Sequence, residues 1–320
     1  MSTPVQATAK PKKSFLEWCK SMRGQQIICT VVFLVLPLLL LFMFTYLPFF
    51  KMVEFSFFKM KYIGRRTFVG LQNYIDVFTR KDCFQALKLS LYYMVGSVVQ
   101  MALALLFATI LSFKVKGGKF FRGALYFPCL ICGISVGFIF KFFFTHGFVL
   151  DTLLSWVGFN PETLPYWLRD ESINNIVLVA CSVWKYVGQN IVMFIGAIAS
   201  VDATLYEAAE IDGASGSQTL FRVIIPNVMP SITTCTFLTL TNSFKLFDQN
   251  LALTGGLPSV IQNGAKFNQT ELLALNIYST YNINKNWHGV AQAKAVIFFI
   301  LVAVLAIAQQ TATRRKEVQQ

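Results

Sequence analysis

The sequence predicts an all-α integral membrane protein with six transmembrane helices, and three observations predict it. Of 320 residues, 55% are hydrophobic and only 13% charged, against about a quarter charged in an ordinary soluble domain. The 32 Phe side chains bring more apolar surface than a core of this size can hide, so a second apolar solvent is required. Long apolar runs recur along the chain, with Lys and Arg gathered at their edges. Lipid is that solvent.

A helix needs about 20 apolar residues to cross the hydrocarbon of a bilayer. Runs from Gln26 to Phe49, Ala86 to Phe113, Gly123 to Phe144, Ile173 to Ala199, Val228 to Phe247 and Gly289 to Ala308 qualify. The first is too long for a signal peptide, and no small-residue cleavage site follows Leu47, so it is expected to stay as an anchor. Residues 1–25 read as a basic tail, 26–312 as one membrane domain, and 313–320 as a second short tail.

The formal charge of +13 is concentrated in Lys10, Lys12, Lys13, Lys20 and Arg23, in Lys114, Lys116, Lys119 and Arg122, and in Arg314, Arg315 and Lys316. Those positions suit anionic headgroups and the positive-inside rule rather than a nucleic-acid groove, and no basic-aromatic nucleic-acid pattern accompanies them. Both termini are therefore expected on the cytoplasmic side. The loop from Lys51 to Lys81 departs from the rule, being basic yet counted outward. Most of the seven Cys stand in apolar runs. Cys129 and Cys132 have CxxC spacing without a second pair or a nearby His, which reads as packing and not as a metal site.

The inward loop, residues 200–227, carries the most information. Thr204 and Glu207 stand at capping-box spacing, Ala208 and Ala209 propagate a helix, and Gly213 is placed to end it in the left-handed conformation. Ser215 or Ser217 caps a second helix, which Pro226 is expected to interrupt. The expected product is a compact helical knob on the cytoplasmic side.

Glu207-Ala208-Ala209, Asp212-Gly213-Ala214 and Ile225-Pro226 resemble the EAA loop of permease subunits in binding-protein-dependent ABC importers, with Ile225 where that family usually has Leu. Phe68–Tyr74, Phe121–Pro128, Leu253–Pro258, Ile277-Tyr278 and Gly289–Ala293 are similar to further segments of the maltose-type sugar permeases. The resemblance covers roughly residues 68–310. It implies the type I ABC importer permease architecture in a bacterial plasma membrane, with Glu207, Ala208, Ala209, Asp212, Gly213, Ala214 and Pro226 seated against a separate ATPase. The implied partners are a second homologous permease, two ATPase subunits and an external solute-binding protein. The chain has no phosphate-binding loop: at Gly118-Lys119, Phe113 and Phe120 stand where the motif needs Gly and Ser or Thr. No cofactor is expected in this chain, ATP and Mg being bound by the ATPase partners.

Polar groups within spans are costly unless paired or wetted, so they mark a pathway. Ser182, Lys185, Tyr186 and Gln189 share one helical face with Asn190 alongside; Thr239, Asn242 and Ser243 share another. Hydroxyls, amides and an aromatic ring are what a sugar requires, although such groups also serve as glue between helices. Lys141, Lys245 and Lys294 read as snorkelling side chains; His146 and His288 receive no role. Three alternatives remain open from sequence: a same-family permease for glycerol phosphate or peptide, an ATP-independent membrane transporter, and a membrane enzyme.

Overall fold

The computed structural model describes residues 21–61, 64–113, 115–262, 265–283 and 287–314. Of the tail expected over residues 1–25, residues 1–20 lie outside the described residues, as do Lys114, Arg315 and Lys316, while Met22 to Gln25 form the first turn of a helix instead. Two units are distinguished, Met1–Glu54 and Phe55–Gln320.

The first unit is carried by one long helix, α1 (Met22–Phe55), with a mean hydropathy of 3.0 over its most apolar stretch. Ser21 caps it by accepting from the Gly24 N–H. A π-turn over Phe42–Tyr46, in which the Leu47 N–H reaches the Phe42 carbonyl, immediately precedes Pro48. The wider turn relieves the clash between a proline ring and the carbonyl one turn back.

In the second unit, the two-residue strands β1 (Phe58–Lys59) and β2 (Thr67–Phe68) pair antiparallel and lead into α2 (Gln72–Thr79). The membrane bundle follows: α3 (Lys81–Ser112), α4 (Gly118–Leu130), α5 (Gly133–Phe144), the short α6 (Val149–Trp156) and α7 (Asn174–Ala199). Then come α8 (Ala203–Ile211), α9 (Gly216–Asn227), α10 (Met229–Lys245), α11 (Asp248–Leu253), a β3–β4 hairpin (Ser259–Gln262 with Ala265–Asn268), α12 (Leu273–Ile283) and α13 (His288–Arg314).

Four of these helices are long and apolar enough to span a bilayer, and two bent pairs bring the number to six among the described residues. The third predicted span is one such pair. Instead of running straight from Gly123 to Phe144, it turns by 98° between α4 and α5. Pro128 withholds a donor from the last turn of α4, Cys132 is extended, and Gly133 opens a new helix. The second bend, of 74°, separates α9 from α10. Pro226 does not end its helix as predicted: a π-turn over Leu220–Ile224 admits the ring, and the chain turns two residues later at Val228.

Small residues let the helices approach closely, the usual basis of packing in lipid where no hydrophobic force draws helices together. Ala104 and Ala108 of α3 are fully buried against Ile191, Phe194 and Ile198 of α7. At Gly96 a methyl group would sit 2.3 Å from Val179, and at Gly188 one would sit 2.0 Å from the Leu125 carbonyl oxygen. Helix α7 is thereby held against α3 on one side and α4 on the other. Small closely packed residues over this stretch were not singled out from sequence.

Lys294 corrects the sequence reading. It does not snorkel but is 1% exposed, and its Nζ donates to Asp82 Oδ2 at 2.7 Å, Asn276 Oδ1 at 2.7 Å and Thr280 Oγ1 at 2.8 Å. His146, given no role from sequence, has its Nδ1 2.9 Å from the buried Asp151 carboxylate and its ring against Tyr166.

Candidate functional site: a polar cavity and a capped knob

Seven of the eight residues assigned to a pathway line one cavity. It lies between α3, α7 and α10 and is bounded by Ser182, Tyr186, Gln189, Asn190, Thr239, Asn242 and Ser243 together with Tyr93, Ser97 and Gln100. These residues fall near the middle of α3 and α7, far from either end. Among the described residues, no Lys, Arg, Asp or Glu lines it.

Some of the polar groups are spent on the walls. Asn190 Nδ2 donates to Thr239 Oγ1 at 2.9 Å, joining α7 to α10. Gln249 Nε2 donates to Ser182 Oγ at 3.2 Å, and the Asn250 amide donates to the Tyr93 hydroxyl at 2.8 Å. Ser243 bonds back to the Leu240 carbonyl. The Tyr186 hydroxyl and the Asn242 amide make no hydrogen bond among the described residues. Polar groups that satisfy the wall beside others left free describe a site that is both held together and open to a ligand.

Lys185 does not line the cavity. It stands at the edge of the α7 polar face and is 4% exposed. Its ammonium lies 4.8 Å from the centroid of the Tyr186 ring and crowds the point that a methyl on Gly133 would occupy, beside Asp248. Its direction is toward α5 and α11. Sequence reading omitted the α3 wall, although Tyr93, Ser97 and Gln100 recur at helical spacing in an otherwise apolar run.

The knob is built by α8 and α9. Its first cap differs from the predicted Thr204–Glu207 box: Asp202 is the N-cap and accepts from the Thr204 N–H at 3.0 Å. That bond holds the Asp202 carboxyl below the usual carboxylate range. The folded value is depressed, so its contribution is present at neutral pH and lost as pH falls through that value. Gly213 has φ +70°, and the Ala214 N–H reaches back to the Ala209 carbonyl at 2.9 Å, closing α8. Ser215 and Gln218 then form a reciprocal capping box at the start of α9.

Tyr206 anchors the knob to α7 by donating to the Ile198 carbonyl at 3.2 Å, and partial burial pushes its phenol pKa up. Ala209 is buried at this contact, while Glu207, Ala208, Asp212, Gly213 and Pro226 are exposed and Ala214 is half-buried. Ile211 is 86% exposed and Phe221 67%. Apolar side chains displayed on a rigid, capped loop are characteristic of a protein-binding surface.

Residues 27–318 match the family described as binding-protein-dependent transport system inner membrane component. The chain is 33% identical over 292 residues to the probable starch degradation products transport system permease protein AmyD of Thermoanaerobacterium thermosulfurigenes, covering 90% of this chain and 94% of the relative. It is 31% identical to the multiple sugar-binding transport system permease protein MsmF of Streptococcus mutans, covering 89% and 95%. Among solved structures, a chain of a bacterial ABC transporter involved in import of the acidic polysaccharide alginate superposes with a TM-score of 0.77 at 18% identity, covering 91% of this chain and 96% of that one.

Proposed function

Because this chain belongs to the family of inner membrane components of binding-protein-dependent transport systems, we propose that it forms half of the translocation pathway of an ATP-driven importer for a sugar or oligosaccharide. The cavity carries the substrate part of this reading. Its lining offers hydroxyls, amides and two tyrosine rings but no charge, which suits a neutral polyhydroxylated solute. A glycerol phosphate or a peptide would need fixed charges to replace the water around its own, so the same lining disfavours both. The names of the relatives, which concern starch degradation products and multiple sugars, point the same way.

The α8–α9 knob is the proposed seat for a separate ATPase subunit, with Glu207 to Ala214 at the contact. ATP and Mg belong to that partner. The proposed assembly contains a second homologous permease, two ATPase subunits and an external solute-binding protein, in a bacterial plasma membrane with both termini cytoplasmic. Closure of the ATPase pair would move the knob and the helices behind it, exposing the cavity to each side in turn.

Capture of the assembly through a tag on this chain, followed by reconstitution in vesicles and an oligosaccharide uptake screen, tests the reading. Uptake that depends on ATP and on a co-purified ATPase is the expected result; saccharide uptake without ATP would overturn it. Two variants test the parts. Gly213→Val, at an exposed position where a side chain meets open space but a strained backbone, is expected to leave the chain folded and to lower uptake by about tenfold or more, with ATP hydrolysis no longer tied to transport. Normal uptake by that variant would remove the knob from the mechanism. Tyr186→Ala combined with Asn242→Ala removes two of the polar groups left free in the cavity, and should raise the half-saturating sugar concentration by about tenfold. An unchanged value would move the substrate elsewhere.

A further inference from the structure

A second polar recess lies on the same face of α3 as the cavity. Asp82 precedes Tyr93 by three helical turns, which places it about 16 Å further along the axis. The recess there opens between the start of α3, β4 and α12, and its lining includes Arg80, Asp82, Gln85, Glu271, Ser279 and Trp287. Between the two spaces, Ala86 packs with Phe244 and Leu273, and Leu89 with Leu272. An apolar collar therefore divides two polar compartments along one helix face.

The recess is built and its charge is balanced. Asp82 receives Lys294 at 2.7 Å and Arg80 at 3.3 Å, while the Arg80 guanidinium covers one face of Trp287 at 3.6 Å. Glu271 is 7% exposed. Its Oε2 accepts from Asn268 at 2.7 Å, but its Oε1 is buried with no partner among the described residues. A buried acceptor without a donor is rare enough to need a reason. Gln85 and Ser279, on the same walls, also make no hydrogen bond among the described residues. The two positive groups, Arg80 and Lys294, balance the two negative ones, Asp82 and Glu271. A balanced lining with free acceptors suits a neutral ligand that donates hydroxyl groups.

We propose that this recess is a second saccharide subsite, at the outer end of the pathway, which holds one sugar residue before the apolar collar opens to the cavity. Glu271 Oε1 accepts a sugar hydroxyl, Gln85 and Ser279 complete the polar contacts, and the Trp287 indole borders the ring. This rests on the saccharide-importer reading above.

The test uses the complete complex captured through this chain, reconstituted in vesicles, with the oligosaccharide that the wild type is found to take up. If the wild type takes up no saccharide, the importer reading itself fails and the subsite goes with it. Given uptake, Glu271→Gln and Gln85→Ala are each expected to raise the half-saturating sugar concentration by about fivefold, with the maximal rate kept within about twofold. In the ATP-free complex, without the binding protein, added sugar should change indole fluorescence saturably, and Trp287→Phe should abolish the change. Thermal stability of each variant, compared with the wild type, separates loss of contact from loss of fold. Unchanged half-saturation in both polar variants overturns the subsite. So does a raised value without any sugar-dependent Trp287 signal, because the recess would then receive a side chain of the binding protein instead.

Discussion

Replacing Lys294 by methionine is expected to destabilise the protein by about 3–5 kcal/mol, the cost of removing one partner from a buried ion pair. The Lys294 ammonium is 1% exposed and is the shared donor to Asp82, Asn276 and Thr280. Its loss leaves the Asn276 and Thr280 acceptors on α12 without that donor and weakens the pairing of Asp82 on α3. Asp82 keeps Arg80 at 3.3 Å, which places the expected value toward the lower end of that range. A thermal unfolding series on detergent-purified protein reads the effect. The double variant Lys294→Met with Asp82→Leu supplies the control, since replacing both ions by apolar groups is often neutral. It should recover most of the loss. A Lys294→Met protein as stable as the wild type would mean that the ammonium holds nothing together.

Gly188→Ala is expected to have a comparable effect from a single methyl group. The added carbon would lie 2.0 Å from the Leu125 carbonyl oxygen and 2.8 Å from the Tyr126 Cα. Backbone cannot rotate aside as a side chain can, so α4 must separate from α7 or the helices must shear. Overpacking of this kind costs about 1–3 kcal/mol and occasionally more, and contact with main chain on both counts puts Gly188 at the upper end. The same helix carries its own control. Gly196 has nothing within 4 Å of the corresponding point, so Gly196→Ala should be neutral or stabilising by up to about 1 kcal/mol through helix propensity. Equal stability of the two alanine variants, measured side by side, would refute the packing argument.

The positions of all six spans were legible in the sequence because lipid imposes a length and a composition that few soluble helices share. Their straightness was not. A hydropathy window averages across Pro128 and Gly133, yet those two residues are where the third span turns. Proline signals were also misread in the other direction: Pro226 announces a break, but a π-turn absorbs it and moves the bend to Val228. Gly213 and Ser215 were placed correctly because left-handed closure and capping depend on a few neighbouring residues. Asp202 took the cap expected of Thr204 because the helix begins two residues earlier than that cap would start it. Lys294 was misread for a different reason. Its ion-pair partner lies 212 residues away in sequence, and no local pattern could announce Asp82. The polar faces of α7 and α10 were visible from spacing alone, but spacing could not tell that Lys185 turns aside or that Asn190 and Thr239 bond to each other.

Helix α7 ends at Ala199 and α8 begins at Ala203, so three intervening residues connect the wall of the cavity to the exposed knob. Three residues, even drawn straight, extend by about 10 Å at most, and the Tyr206 bond to Ile198 shortens the available slack further. A displacement imposed on the knob therefore has only that short link to pass before it meets α7, which is packed tightly against α3 at Gly96 and against α4 at Gly188. Ala208 and Gly213 thus stand one short hinge away from the helix that carries Tyr186, as a key stands one turn from its bolt.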